Sequence, residues 1–140
     1  MEHPTLGNLQ DMTRRETLLR VHRKNGCIFT LTLTLDPEGG DRGITFTEFY
    51  DYGPLGDDPG REYGYSVHAP YDALDALADF YAPDADGTAA DRLVEALRTL
   101  VQEGVLGDRL HLKGNQHRVL EGFEVAGVAA TTSVWSWIND

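Results

Sequence analysis

Residues 17–35 read TLLRVHRKNGCIFTLTLTL, and the reading of this stretch decides the fold. Thr17 to Lys24 and Cys27 to Leu35 are two strand-like runs separated by Asn25-Gly26, a pair that readily supplies the two positive-φ residues of a type I′ turn. An antiparallel hairpin is expected. In its second arm Cys27, Phe29, Leu31, Leu33 and Leu35 share one face, with Thr30, Thr32 and Thr34 on the other. That is the period-two pattern of a half-buried sheet. The threonine face is left for solvent or a partner.

Downstream, the turn-rich Asp36 to Gly43 leads into a third strand, Ile44 to Tyr50, which places Glu48 on one face with Ile44, Phe46 and Tyr50. Asp51 to Gly64 (DYGPLGDDPGREYG) holds four glycines and two prolines and is expected to be a long loop, a length that favours a functional role. Tyr63 to His68 forms a fourth strand, and Ala69-Pro70 closes it and opens a helix. From Tyr71 to Tyr81, Leu74, Leu77, Ala78 and Tyr81 repeat at helical spacing, with Asp72, Asp75 and Asp79 on another face. A second helix begins after Thr88, which forms a variant capping box with Asp91. It presents Leu93, Leu97, Leu100 and Val101 inward and stops at Gly104. In the last third, Arg109 to Lys113 and Val119 to Val125 read as strands around a Gly114-Asn115 turn. Thr131 to Ile138, with Trp135 and Trp137 alternating against Val134, Ser136 and Ile138, reads as another. The expected fold is a single α+β domain, residues 17–140 after a lead-in over residues 1–16: an antiparallel β-sheet with two α-helices packed on one face.

A chain of 140 residues buries about 68% of its unfolded surface, enough for one core without a disulfide or metal. The one cysteine, Cys27, lies in the apolar pattern of the hairpin and reads as a buried thiol. No stretch has the apolar length of a secretory signal or a membrane span, so a cytoplasmic protein with no membrane contact is expected. The formal net charge of −11 is local: residues 36–95 carry 15 acidic residues against Arg42, Arg61 and Arg92, a net −12. Such a field repels nucleic acid and anionic lipid and speeds encounter with a basic protein.

Complete catalytic motifs are missing from the sequence. His3, His22, His68, His111 and His117 are dispersed, without the spacing of zinc ligands, and Asp84-Ala85-Asp86-Gly87 has its glycine too early for a calcium loop. No nucleophile elbow and no glycine-rich phosphate loop occur, so neither an enzymatic activity nor a cofactor is expected. Glu48, with a loop acid such as Asp51, Asp57 or Glu62, is the one candidate acid-base pair, set against a structural glutamate paired with Arg20 or Arg23. Phe49, Tyr50, Tyr52, Tyr63, Tyr65 and Tyr71 cluster around the acidic loop, and tyrosines are enriched at the energetic centres of interfaces. The candidate partner-binding residues are Asp51, Tyr52, Asp57, Asp58, Glu62, Tyr63 and Tyr65.

The segments GCIFTLTLTL, ITFTEFYDYG, YGYSVHAPYDALDAL and DRLVEALRTLVQEG together resemble the small bacterial immunity proteins of polymorphic toxin systems, over roughly residues 17–105. The resemblance implies a cytoplasmic protein that binds one cognate toxin domain and blocks its active site; an acidic surface can occupy the cationic groove of a nuclease, which makes a nuclease one candidate toxin. It carries over no catalytic residue. The alternative is a small enzyme or ligand-binding protein that uses the Glu48 region.

Overall fold

A computed structural model describes residues 12–53, 60–108 and 114–138. Five antiparallel strands lie side by side in chain order: β1 (Arg14–His22), β2 (Ile28–Leu35), β3 (Ile44–Asp51), β4 (Arg61–Ala69) and β5 (Thr131–Ile138). Three helices, α1 (Leu74–Tyr81), α2 (Ala89–Gln102) and α3 (Asn115–Val125), fall between β4 and β5. Their buried leucines, Val119 and Phe123 join one core with Phe29, Leu31, Leu33, Ile44, Phe46 and Val67 of the sheet. The α+β class and the helix-covered sheet therefore agree with the sequence reading, but among the described residues the α-helices number three.

The first hairpin forms as expected, with a different turn. Arg23 and Cys27 close it through the Arg23 N–H to the Cys27 carbonyl (2.8 Å), and the Gly26 N–H reaches back to the Arg23 carbonyl (3.1 Å). The loop is thus the three residues Lys24, Asn25 and Gly26, with Gly26 at φ 89°, in place of a two-residue type I′ turn. Asn25 Oδ1 accepts the Cys27 N–H at 3.0 Å, which stabilises the longer form.

β1 begins at Arg14, before the expected Thr17, and its register shifts between Thr17 and Leu19. The extra residue of this bulge lets both Leu18 and Leu19 pack against the core, which simple alternation forbids. Cys27, Phe29, Leu31, Leu33 and Leu35 are all buried, as their spacing requires. Cys27 is free, and burial pushes its thiol pKa up, so it is a poor nucleophile.

On the opposite, helix-free face the register aligns Thr17, Thr32, Thr47, Ser66 and Ser133 in one row across all five strands. Thr32, expected at the surface, is only 5% exposed. Thr47 Oγ1 and Ser66 Oγ share a hydrogen bond of 2.9 Å within this row. Gly64 is required on this face, because a Cβ there would overlap the Trp135 indole on the neighbouring strand.

His68 lies one row along, buried between Thr45 Oγ1 (3.0 Å from Nδ1) and Ser133 Oγ (2.8 Å from Nε2). Burial, and then the charge of Arg42, lower its pKa from the ordinary 6.5. Below that pH the unfolded chain binds more protons than the folded one. The stability tied to His68 is therefore complete above 6.5 and is lost as pH falls through the lowered folded value. Thermal melts at about pH 7.5 and about pH 5.5 should show a fall in Tm that shrinks in His68→Gln. An unchanged fall would place the pH sensitivity elsewhere.

Local signals set the helix ends. Tyr71–Ala73 forms a 3-10 turn ahead of α1, and Arg92 donates to the Ala82 carbonyl (2.9 Å) and to Asp79 (2.9 Å), placing a cation at the α1 C-terminus. Thr88 Oγ1 accepts the Asp91 N–H at 3.1 Å as the N-cap of α2, and Gly104, at φ 79°, ends it. The strand expected over Val119 to Val125 is instead α3. Asn115, Val119 and Phe123 are its buried residues, spaced four apart, and that stripe seats the helix on β3, β4 and β5. The strand expected over Arg109 to Lys113 lies outside the described residues.

Candidate functional site: a tyrosine cleft floored by Glu48

β3 and β4 pair so that Glu48 faces Tyr65 and Tyr50 faces Tyr63 across the ladder. All four belong to the helix-bearing face. Towards Ile44 this face is apolar and covered by helices; towards Asp51 it carries tyrosines, and here α3 begins. An open cleft of about 730 Å³ results, lined by Glu48, Tyr50, Tyr52, Tyr63 and Tyr65 from the sheet, Asn25 from the first hairpin, and Gly114, Gln116 and His117 from the start of α3. The rings stand in two edge-to-face pairs, Tyr50–Tyr65 and Tyr52–Tyr63, each with centroids 5.9 Å apart and planes at 89°.

Glu48 is 6% exposed and is held by α3. Gly114 is the N-cap residue and has no side chain with which to cap, so the carboxylate supplies that function from another element. Oε1 accepts the Gln116 backbone N–H at 3.3 Å, while Oε2 accepts from Asn115 Nδ2 at 2.9 Å and from the Tyr50 hydroxyl at 2.7 Å. The positive end of the α3 dipole stabilises the charge. Burial first, then the bond to Glu48 and its charge, push the Tyr50 hydroxyl pKa well above that of an ordinary phenol, so Tyr50 stays a donor.

Asn115 is fully committed. Its Oδ1 accepts the Gly107 N–H (2.9 Å), and its Nδ2 also donates to the Gly107 carbonyl (2.8 Å). Gln116 Nε2 donates to the Ser66 and Ser133 carbonyls at 3.0 and 3.2 Å, joining α3 to both β4 and β5. His117 pairs with Glu121 one turn along, at 2.6 Å. These bonds fix the cleft floor before any ligand arrives.

The arginine partner expected for Glu48 is not there. Arg23 pairs with Asp108, and its guanidinium lies 5.3 Å from the ring centroids of both Phe29 and Tyr50. Arg20 belongs to the helix-free face, opposite Thr30.

Of the candidate binding residues, Tyr52, Tyr63 and Tyr65 come together in the cleft. Asp51 and Glu62 are cross-strand partners on the helix-free face, one position along from Tyr50 and Tyr63. Asp57 and Asp58 lie outside the described residues. The loop expected over Asp51 to Gly64 is shorter, because β3 continues through Asp51 and β4 starts at Arg61. The Tyr52 N–H to Arg61 carbonyl bond (3.0 Å) extends the pairing one step further. Phe49 leaves the cluster for the other face, where its ring stacks 5.6 Å from Trp135.

No family model, no curated protein and no solved structure matches this chain. Function therefore rests on the cleft and the charge around it. Among the described residues no helix is long and apolar enough to cross a membrane, and no three His, Cys, Asp or Glu side chains converge as metal ligands do. Asn25, Gly114, Gln116 and His117 are the cleft residues that sequence reasoning missed, together with Asn115 behind them, which holds Glu48. The alternation of β3 already placed Glu48 and Tyr50 on one face, but nothing local brings Tyr63 and Tyr65 opposite them or joins that face to residue 115.

Proposed function

We propose that this chain is an acidic cytoplasmic protein-binding domain that holds a basic protein and inhibits it, as an immunity protein holds its cognate toxin. The observations behind this reading are the open tyrosine cleft and the unneutralised acids elsewhere on the surface. Tyrosines offer rigid, amphipathic contact area, and an open recess admits a protruding side chain of another protein. Asp79, Asp91 and Glu95 are paired with Arg92, Arg14 and Arg98. Asp72, Asp75, Asp84 and Asp86 are exposed and have no cationic partner among the described residues. Asp51 facing Glu62 is a like-charge cross-strand pair, an arrangement that costs stability.

The test is to search the coding region beside this gene for a basic toxin domain, co-express any such domain with this chain, and assay the toxin in the purified complex. Protection of the cell and loss of toxin activity at a one-to-one ratio are expected. A toxin that stays fully active when bound would end the inhibitor reading. The second reading, a small-ligand protein or enzyme, is favoured by the buried Glu48 carboxylate on the cleft wall. If Glu48→Gln kept the fold yet abolished an identified turnover, that reading would take its place.

A further inference from the structure

We infer that the tyrosine cleft is a socket for the guanidinium of an arginine presented by the partner, an inference that rests on the basic-partner reading above. Three features of the cleft converge on that group. First, Glu48 retains acceptor capacity. A carboxylate has about four lone-pair sites, and here three are engaged, with Oε1 holding only the 3.3 Å bond from Gln116. Among the described residues Glu48 has no cationic partner, although its charge is buried on the wall of an open recess.

Second, the walls are aromatic. A cation over a tyrosine face is attracted by the ring quadrupole, more strongly where water is thinned out, and Tyr65 stands directly across the ladder from Glu48. Ring and carboxylate therefore act on the same small volume. Third, the protein already seats one guanidinium this way: Arg23 pairs with Asp108 while lying over the Phe29 and Tyr50 rings. Tyr50 thus has an arginine against its ring, and its hydroxyl end reaches Glu48 in the cleft. A planar fork meets both demands, stacking on a ring and donating in its own plane to an oxygen, whereas an ammonium is a hydrated point charge.

Two basic side chains beside the cleft, His117 and Arg61, do not supply this ligand. His117 is engaged by Glu121, and Arg61 approaches through the Tyr63 hydroxyl at 3.2 Å. At about 730 Å³ the cleft exceeds the volume of one side chain, so it takes the arginine with its flanking peptide.

The experiment is calorimetric titration of the purified chain with N-acetyl-Gly-Arg-Gly-amide and with its lysine and citrulline counterparts, citrulline being nearly isosteric and neutral. The arginine peptide should bind about tenfold or more tightly than the citrulline peptide, and more tightly than the lysine peptide. Tyr65→Ala should weaken it by about tenfold, and Glu48→Gln by at least as much. Because Glu48 also caps α3, Tyr65→Ala is the deciding variant, with a circular dichroism spectrum matching the parent.

Equal binding of the arginine and citrulline peptides, or unchanged binding in Tyr65→Ala, would overturn the socket. Equal binding of the lysine peptide would overturn the guanidinium assignment. The two readings fail separately. If a basic partner is inhibited but ignores Tyr65→Ala and Glu48→Gln, the socket is wrong and the inhibitor stands. If the arginine peptide binds and no basic protein is inhibited, the reverse holds.

Discussion

Replacing Phe123 by alanine is expected to cost about 3–5 kcal/mol of stability and to weaken binding in the cleft as well. Phe123 is fully buried and is among the largest side chains in the core. It anchors α3 together with Val119 and Asn115, so its loss leaves a cavity under a short helix. The N-terminus of that same helix supplies the Asn115 and Gln116 bonds to Glu48. Leu97→Ala is the control. Leu97 is equally buried, and its loss should cost about 2–5 kcal/mol. It lies on α2, which packs against β1, so the cleft should keep its affinity. Urea denaturation with an unchanged slope, combined with peptide titration of both variants, checks the pair. Equal loss of affinity in both would mean that the cleft reports global stability and not the seating of α3.

The second large effect is kinetic. If the net −12 of residues 36–95 steers a cationic partner, association should slow by about 10-fold to 10³-fold as salt rises, since the Debye length contracts from ~30 Å at 0.01 M to ~8 Å at 0.15 M. Dissociation should change less, because contacts within the complex are screened less than the approach to it. Charge reversal at Asp51 and Glu62, one position along the strands from Tyr50 and Tyr63, should slow association more than reversal at Asp84 and Asp86 between α1 and α2. Stopped-flow mixing across a salt series measures both. A salt-independent rate, or equal effects from the two pairs of reversals, would reduce the charge to a solubilising role.

The two effects act at different distances. On the proposed reading, acids spread over the helices and the β3–β4 hairpin would draw a basic surface in, and the cleft would then select one side chain from it. In the cleft Glu48 is a hydrogen-bond acceptor held in place by Tyr50, Asn115 and Gln116.

By itself the sequence determined the features that act over a few residues. Alternation along Cys27 to Leu35 and Ile44 to Tyr50 named the faces, because side chains on a strand must point to opposite sides. Thr88 named the start of α2, because a side-chain oxygen at that position satisfies a backbone donor three residues on. Tertiary structure alone decided the rest. The residues 115–125 have a buried stripe at helical spacing, but Gly114 gives no cap, and the carboxylate that serves instead sits 68 positions away along the chain, on β3. The bulge at Leu18 forms because both Leu18 and Leu19 gain a core that only the folded sheet and helices create. Glu48 could not be matched to its partners from sequence for the same reason. A buried charge takes whichever donors the packing brings to it, and here packing delivered a helix terminus while sending Arg23 to Asp108.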